Sequence, residues 1–257
     1  MTNFVDQYNT YTHTKALNLI VDIGNSQAKL VVFEGDSLVE ELCTSNQDIR
    51  ETESALCKYN IDACIVCSVV PISNEISKSL NKLQCRIIYM SADTQIPIQN
   101  LYRTPQTLGV DRLAGVVGGS ALKPGCNLLV IDAGTCITYD LLDCNNAYHG
   151  GNISPGLAMR LRAMHEMTAK LPLVSASGDM PSIGYDTETA IRSGAITGMK
   201  HEIEGYVRHL REKYPDLQVI MTGGDALTIP ISDKNITIDR NIVHKGLNKI
   251  LQHNLPC

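Results

Sequence analysis

Asn18–Ser26 reads NLIVDIGNS, an apolar run closed by a carboxylate and then by Gly-Asn-Ser. A greasy segment of this length that ends in Gly predicts a buried strand entering a tight turn, with Asp22 emerging at the strand's carboxyl end. Open α/β sheets place ligands at that end. A turn Asp bonded only to its own backbone would give the same local pattern. Asn127–Thr135 repeats it as NLLVIDAGT, so Asp132 and Gly134 restate Asp22 and Gly24, with Asp132 lying 110 positions after Asp22. Two copies half a chain apart predict a duplicated unit, each half offering one strand-turn with a carboxylate and a phosphate-sized cradle.

Working outward, strands are expected at Leu19–Asp22, Lys29–Glu34, Ala63–Val70 and Arg86–Met90. Helices are expected near Gln47–Tyr59 and Ser73–Leu83, and a polar connection follows Glu34. A polar stretch then leads to a helix over Val110–Leu122, and Lys123-Pro124-Gly125 breaks the chain. The second half opens with strands at Leu128–Asp132 and Ile137–Leu142, a turn at Asn145-Asn146 and a third strand at Ala147–His149. Helices are expected over Gly156–Glu166, Thr187–Tyr214 (its glycines allowing a break) and Ile242–Gln252, with a strand at Gln218–Thr222. The fold class is therefore α/β, with residues 17–124 and 125–257 as the two halves and the polar residues 1–16 as a disordered extension.

The 257 residues suffice for a core that needs no disulfide staples. Nine cysteines without framework spacing, after an opening unlike a signal peptide, predict free thiols in a reducing cytoplasm. Cys64 and Cys67 form a CxxC but fall on opposite faces of a strand, which argues against a metal or redox pair. A net charge of −5 without basic blocks excludes a general nucleic-acid binder, and no apolar stretch is long enough to span a bilayer.

Three further stretches carry candidate chemistry. In LGVDRLAG (Leu108–Gly115), Asp111 and Arg112 stand in the first turn of a helix. A carboxylate there stabilises the helix dipole, and it could equally act as general base with Arg112 anchoring an anionic substrate. Gly115, Gly118 and Gly119 in that helix each cost about 1 kcal/mol relative to Ala, so close packing is expected against them. TGGDA (Thr222–Ala226) fits a flat ring such as adenine or a plain strand-to-helix turn. GGNISPG (Gly150–Gly156) fits a ligand-facing loop or an ordinary turn. No GxxxxGK[ST] or GxGxxG occurs, and the histidines show no metal-ligand spacing. Lys29 is either a phosphate contact or a solvated strand residue, and the methionines from Met159 to Met167 read as core filler.

Taken together, DIGNSQAK, GVDR, IDAGT, GGNISPG and TGGDA occur in the order and spacing that resemble the type III pantothenate kinases, of the acetate kinase, sugar kinase, Hsp70 and actin superfamily. That resemblance covers nearly everything from Leu17 onward. It implies two ribonuclease H-like domains of duplicated topology with the active site in the cleft between them. It further implies ATP-dependent phosphorylation of pantothenate, the first step of coenzyme A biosynthesis, in a cytoplasmic homodimer.

By motif, the resemblance implies ATP binding by Asp22, Ile23, Gly24, Asn25, Ser26, Gln27, Ala28, Lys29 and Thr135. Asp22 would sit near Mg²⁺, directly or through water, and Asp132 would bind a monovalent cation, K⁺ or NH₄⁺. Asp111 would accept the substrate proton, and Tyr102, Gly109, Val110, Asp111 and Arg112 would contact pantothenate. Thr187 would do so from the partner subunit. Ser26-Gln27 replaces the family's usual Thr-Asn, and Cys136 stands where Ala is frequent. The alternatives are a kinase for another small alcohol, and a non-catalytic regulatory relative, against which the presence of all three aspartates argues.

Overall fold

The computed structural model describes residues 16–25, 27–47, 49 and 57–256. The expected extension at residues 1–16 lies outside them apart from Ala16. Most of the expected helix over Gln47–Tyr59 lies outside them too, and its last positions, Cys57–Tyr59, form a turn.

One sheet contains β1 (Leu17–Ile23), β2 (Gln27–Glu34), β3 (Ser37–Ser45), β4 (Ala63–Ser68) and β5 (Arg86–Tyr89) in the order β3-β2-β1-β4-β5. The other contains β7 (Leu128–Ala133), β8 (Cys136–Leu142), β9 (Ala147–Pro155), β10 (Gln218–Thr222) and β11 (Ile236–Ile238) in the order β11-β10-β7-β8-β9, with β6 (Gln99–Asn100) added beyond β9. In each, the first strand pairs antiparallel with the second and parallel with the fourth. The twin motifs thus open two sheets of the same strand order, the duplicated ribonuclease H-like topology that the resemblance implied.

Among the described residues five helices cover the sheets: α1 (Asn74–Leu80), α2 (Val110–Leu122), α3 (Leu157–Glu166), α4 (Thr187–Lys213) and α5 (Ile242–Asn254). Strand periodicity decides where each packs. On β1, Leu19, Val21 and Ile23 join the outer core that includes Ile76 and Leu80 of α1. Ile20 turns to a central core holding Val116 and Val117 of α2, Leu247 and Ile250 of α5, and Leu128 and Val130 of β7. The opposite face of the second sheet, with Leu129 and Ile131, packs against α3 and α4. Helices α2 and α5 therefore form a layer shared by the two sheets.

Gly118 and Gly119 of α2 have the close neighbours that their cost implied, whereas a Cβ on Gly115 would meet only ordinary contact, 3.6 Å from Val130. A Cβ on Gly118 would lie 2.0 Å from the carbonyl oxygen of Ile242, and one on Gly119 would lie 2.5 Å from a methyl of Leu128.

Four expectations change. The presumed polar connection after Glu34 is strand β3, an edge strand whose alternation of half-buried and exposed residues is masked by its charges. The stretch GGNISPG is neither loop nor turn: β9 runs through it to Pro155. Helix α4 passes its glycines unbroken, since nothing crowds Gly194, Gly198 or Gly205. Met159 and Met167 are exposed, so they are not core filler, although Met164 packs against the core.

Candidate functional site

Asp22 has the same strand parity as Ile20, and Asp132 the same as Val130, so both carboxylates leave their sheets on the inner faces that turn toward α2 and α5. Asp111 lies in the first turn of α2. All three line one cavity of about 450 Å³, together with Gly24, Asn25, Tyr102, Gly109, Arg112 and Thr135. Burial raises the proton affinity of Asp132, and the charges of Asp111, Asp22 and Asp140 add to it. Lys29 opposes the effect, and the carboxyl ends pushed up to about 7. Burial likewise raises Asp111, against a hydrogen bond of 2.9 Å that Arg112 N–H donates to its Oδ1. Burial and neighbouring negative charge thus raise both Asp111 and Asp132 in one cleft, which marks a site short of positive charge.

The two motif turns differ in detail. In the β1–β2 turn Gly24 N–H donates to the carbonyl of Gln27, three positions on, at 2.9 Å. In the β7–β8 turn the matching bond runs from Gly134 N–H to the carbonyl of Cys136, two positions on. Gly223, at φ +94°, passes so close to β7 that a Cβ would lie 2.5 Å from Oδ1 of Asp132. Glycine is therefore required there by both conformation and space. Asp225 of the same TGGDA stretch accepts a hydrogen bond from Leu157 N–H, which ties that turn to the start of α3.

The remaining expected residues separate by strand face. Ile23 and Ala28 are fully buried in the outer core, so contact with a ligand could come only from their backbone. Val110 packs against the central core, and Gln27 is exposed at the start of β2. Lys29 pairs in register with Asp22 and is near enough to Asp132 to lower its proton affinity, which puts it on the cleft side of the sheet. Ser26 lies outside the described residues. Thr187 is exposed at the start of α4, beside its capping residue Asp186, and does not line the cavity of its own chain.

Four participants were not anticipated. Asp140 is buried and receives Arg112 side-on, with Nε at 3.0 and 3.2 Å and Nη2 at 2.7 Å; the hydroxyl of Tyr148 donates to Asp140 Oδ1 at 2.7 Å. His244 of α5 is buried with Nε2 3.3 Å from Oδ2 of Asp22. Cys67 sits in register beside Asp22, and burial and the charges of Asp22 and Asp111 hold its thiol well above the usual range. The hairpin register offers a signal for Asp140: with Asp132 opposite Thr138, position 140 shares their face.

The family model described as type III pantothenate kinase matches residues 18–209. A type III pantothenate kinase from Phocaeicola vulgatus is 50% identical over 239 residues, covering 93% of this chain and 99% of that one. One from Bacteroides fragilis is 47% identical over 239 residues, covering 93% and 98%. Among solved structures, a Campylobacter jejuni protein named as a Baf family transcriptional activator superposes with a TM-score of 0.58 at 19% identity, over 92% of this chain and 98% of that one. A Listeria monocytogenes protein assigned as an N-acetylmannosamine kinase superposes with a TM-score of 0.52 at 13% identity, over 93% and 100%. These last two speak for the fold alone. With the family model spanning most of its length and relatives at half identity, the chain belongs to the type III pantothenate kinases.

Proposed function

We propose that this cleft transfers the γ-phosphoryl group of ATP to the primary hydroxyl of pantothenate, giving 4′-phosphopantothenate in the first step of coenzyme A biosynthesis. The observation that carries this reading is the meeting of Asp111 with Asp22 and Asp132 in one cavity of a chain from this family. The pantothenate oxygen attacks the γ-phosphorus in line, its proton passes to Asp111, and ADP leaves. A carboxylate whose proton affinity burial has raised is suited to take that proton near neutral pH.

The donors at the cleft fit a bound cation and polyphosphate. Asp22 and Asp132 face a site short of positive charge, and among the described residues no group of three or more His, Cys, Asp and Glu could chelate a metal alone. Asp22 would hold Mg²⁺ there, directly or through water, and the ion would neutralise charge on the phosphate oxygens. Asp132 would hold K⁺ or NH₄⁺. The segment Asp22–Lys29 and Thr135 would hold the triphosphate, and Tyr102, Gly109, Val110 and Arg112 the acceptor. The halves 17–124 and 125–257 would be the two domains that close on it.

We further propose a cytoplasmic homodimer in which Thr187 reaches the partner's site. Ile183 and Tyr185, 82% and 70% exposed and just before that threonine in the chain, support an apolar contact there. Among the described residues no helix is long and apolar enough to cross a membrane. The test is ADP release by the purified protein with ATP, Mg²⁺ and pantothenate, in K⁺ and then in Na⁺ alone. Release that requires pantothenate and K⁺ is expected. Release indifferent to pantothenate overturns the substrate assignment.

A further inference from the structure

Arg112 is the residue of the cleft whose chemistry differs most from expectation. Its guanidinium is not a free cation awaiting an anion: Nε and Nη2 are both engaged by the Asp140 carboxylate, and both side chains are buried. A side-on pair of this kind fixes the plane of the guanidinium, because two parallel N–H···O bonds define it. Tyr148 is fully buried and donates to the same Asp140 oxygen, so the carboxylate is itself held in place. The Tyr148 ring stacks at 6.3 Å on Tyr102, over whose ring the guanidinium carbon of Arg112 lies at 5.9 Å. Gly150, at φ +97°, completes the wall, since a Cβ there would lie 2.9 Å from the Tyr102 ring.

We propose that Asp140 and Tyr148 are positioning residues for the acceptor substrate: they lock Arg112 so that the side of its guanidinium turned away from Asp140 meets the acceptor in one orientation. The inference rests on the activity proposed above. Asp140 compensates the charge of Arg112, so recognition depends on the direction of the guanidinium more than on net attraction. Loosening that direction weakens the acceptor and leaves the nucleotide unaffected. Tyr148 acts on the same orientation through the one hydroxyl it donates to Asp140.

The experiment is steady-state kinetics on the full-length protein, with pantothenate and ATP varied in turn. Tyr148→Phe keeps the ion pair and removes one hydrogen bond. It is expected to raise KM for pantothenate by about 3- to 10-fold, the range of one hydrogen bond, with KM for ATP within about twofold. Asp140→Asn is expected to raise it further. Because that change leaves a buried arginine uncompensated, Arg112→Lys serves as a second reference. Combining Arg112→Lys with Tyr148→Phe is expected to cost no more for pantothenate than Arg112→Lys alone, since the two act through one group. Additive losses, an unchanged pantothenate KM in Tyr148→Phe, or equal rises for both substrates would overturn the positioning role while the activity stands. If the unmodified protein shows no pantothenate-dependent ADP release, the activity itself falls and this inference with it.

Discussion

Gly118 of α2 and Gly246 of α5 bring two helix backbones into direct contact: a Cβ on Gly118 would lie 3.0 Å from the Gly246 nitrogen, and one on Gly246 would lie 2.8 Å from the Gly118 nitrogen and 1.8 Å from the carbonyl oxygen of Ala114. Backbone cannot swing aside as a side chain can. Gly246→Ala is therefore expected to destabilise the protein by about 3 kcal/mol or more, the upper end of overpacking effects. Gly194→Ala, in α4 with nothing within 4 Å, should stabilise it by up to about 1 kcal/mol through helix propensity. Urea denaturation of both variants checks the pair, and equal effects would contradict the packing account.

Asp111→Asn keeps the shape and removes the proton acceptor. A fall in kcat of roughly 10² or more is expected, with pantothenate and ATP affinity largely retained. Calorimetric titration beside the kinetic assay separates the two. Near-wild-type turnover would remove Asp111 from the mechanism.

The pH dependence follows from Asp132. Its proton affinity is raised in the folded state from 3.8 to about 7, so the folded chain holds a proton that the unfolded chain has released. Stability from this group is complete below about pH 4 and is lost as pH rises through about 7. Ligand-free protein should then melt lower at pH 8 than at pH 6, and Asp132→Asn should remove part of that slope. In the same variant Tm at pH 8 should rise, by about 2–4 °C for each kcal/mol recovered, while activity is lost. A steeper slope in Asp132→Asn would sink this assignment.

If two copies assemble through the apolar side chains before α4, Ile183→Glu should shift sedimentation to the monomer. Because Thr187 would then be absent from the partner's site, kcat/KM for pantothenate should fall by about 3- to 10-fold, the scale of one lost hydrogen-bonding contact. A variant that stays assembled and fully active would place the contact elsewhere.

Legibility in the sequence followed the strength of local patterning. The twin apolar runs around Asp22 and Asp132 predicted the two first strands, and the glycine-rich helix after Gly109 predicted close packing. Strand β3 was hidden by its charges, although Gly35-Asp36 marks its hairpin, with Gly35 at φ +59°. Strands β6 and β11, of two and three residues, exist through pairing with β9 and β10 and carry no periodicity of their own. At the site, Asp22, Asp111 and Asp132 were readable because each closes or opens an element. Asp140 and His244 lie within elements, and their partners Arg112 and Asp22 are 28 and 222 positions away. Contacts at such separations are tertiary facts, invisible to local pattern.

Helix α5 carries a consequence for how the chain is made. Its Asn248 accepts from Asn18 and donates to the Gly35 carbonyl, and its Lys249 reaches Asp36, so the last helix closes over the first hairpin. During synthesis on the ribosome, the hairpin emerges 213 positions ahead of its α5 partners, and the part of its surface that α5 covers stays open over that interval. Closure of that sheet therefore waits on the synthesis of α5, and apolar surface left open in the interval is the kind that makes a folding intermediate prone to aggregate.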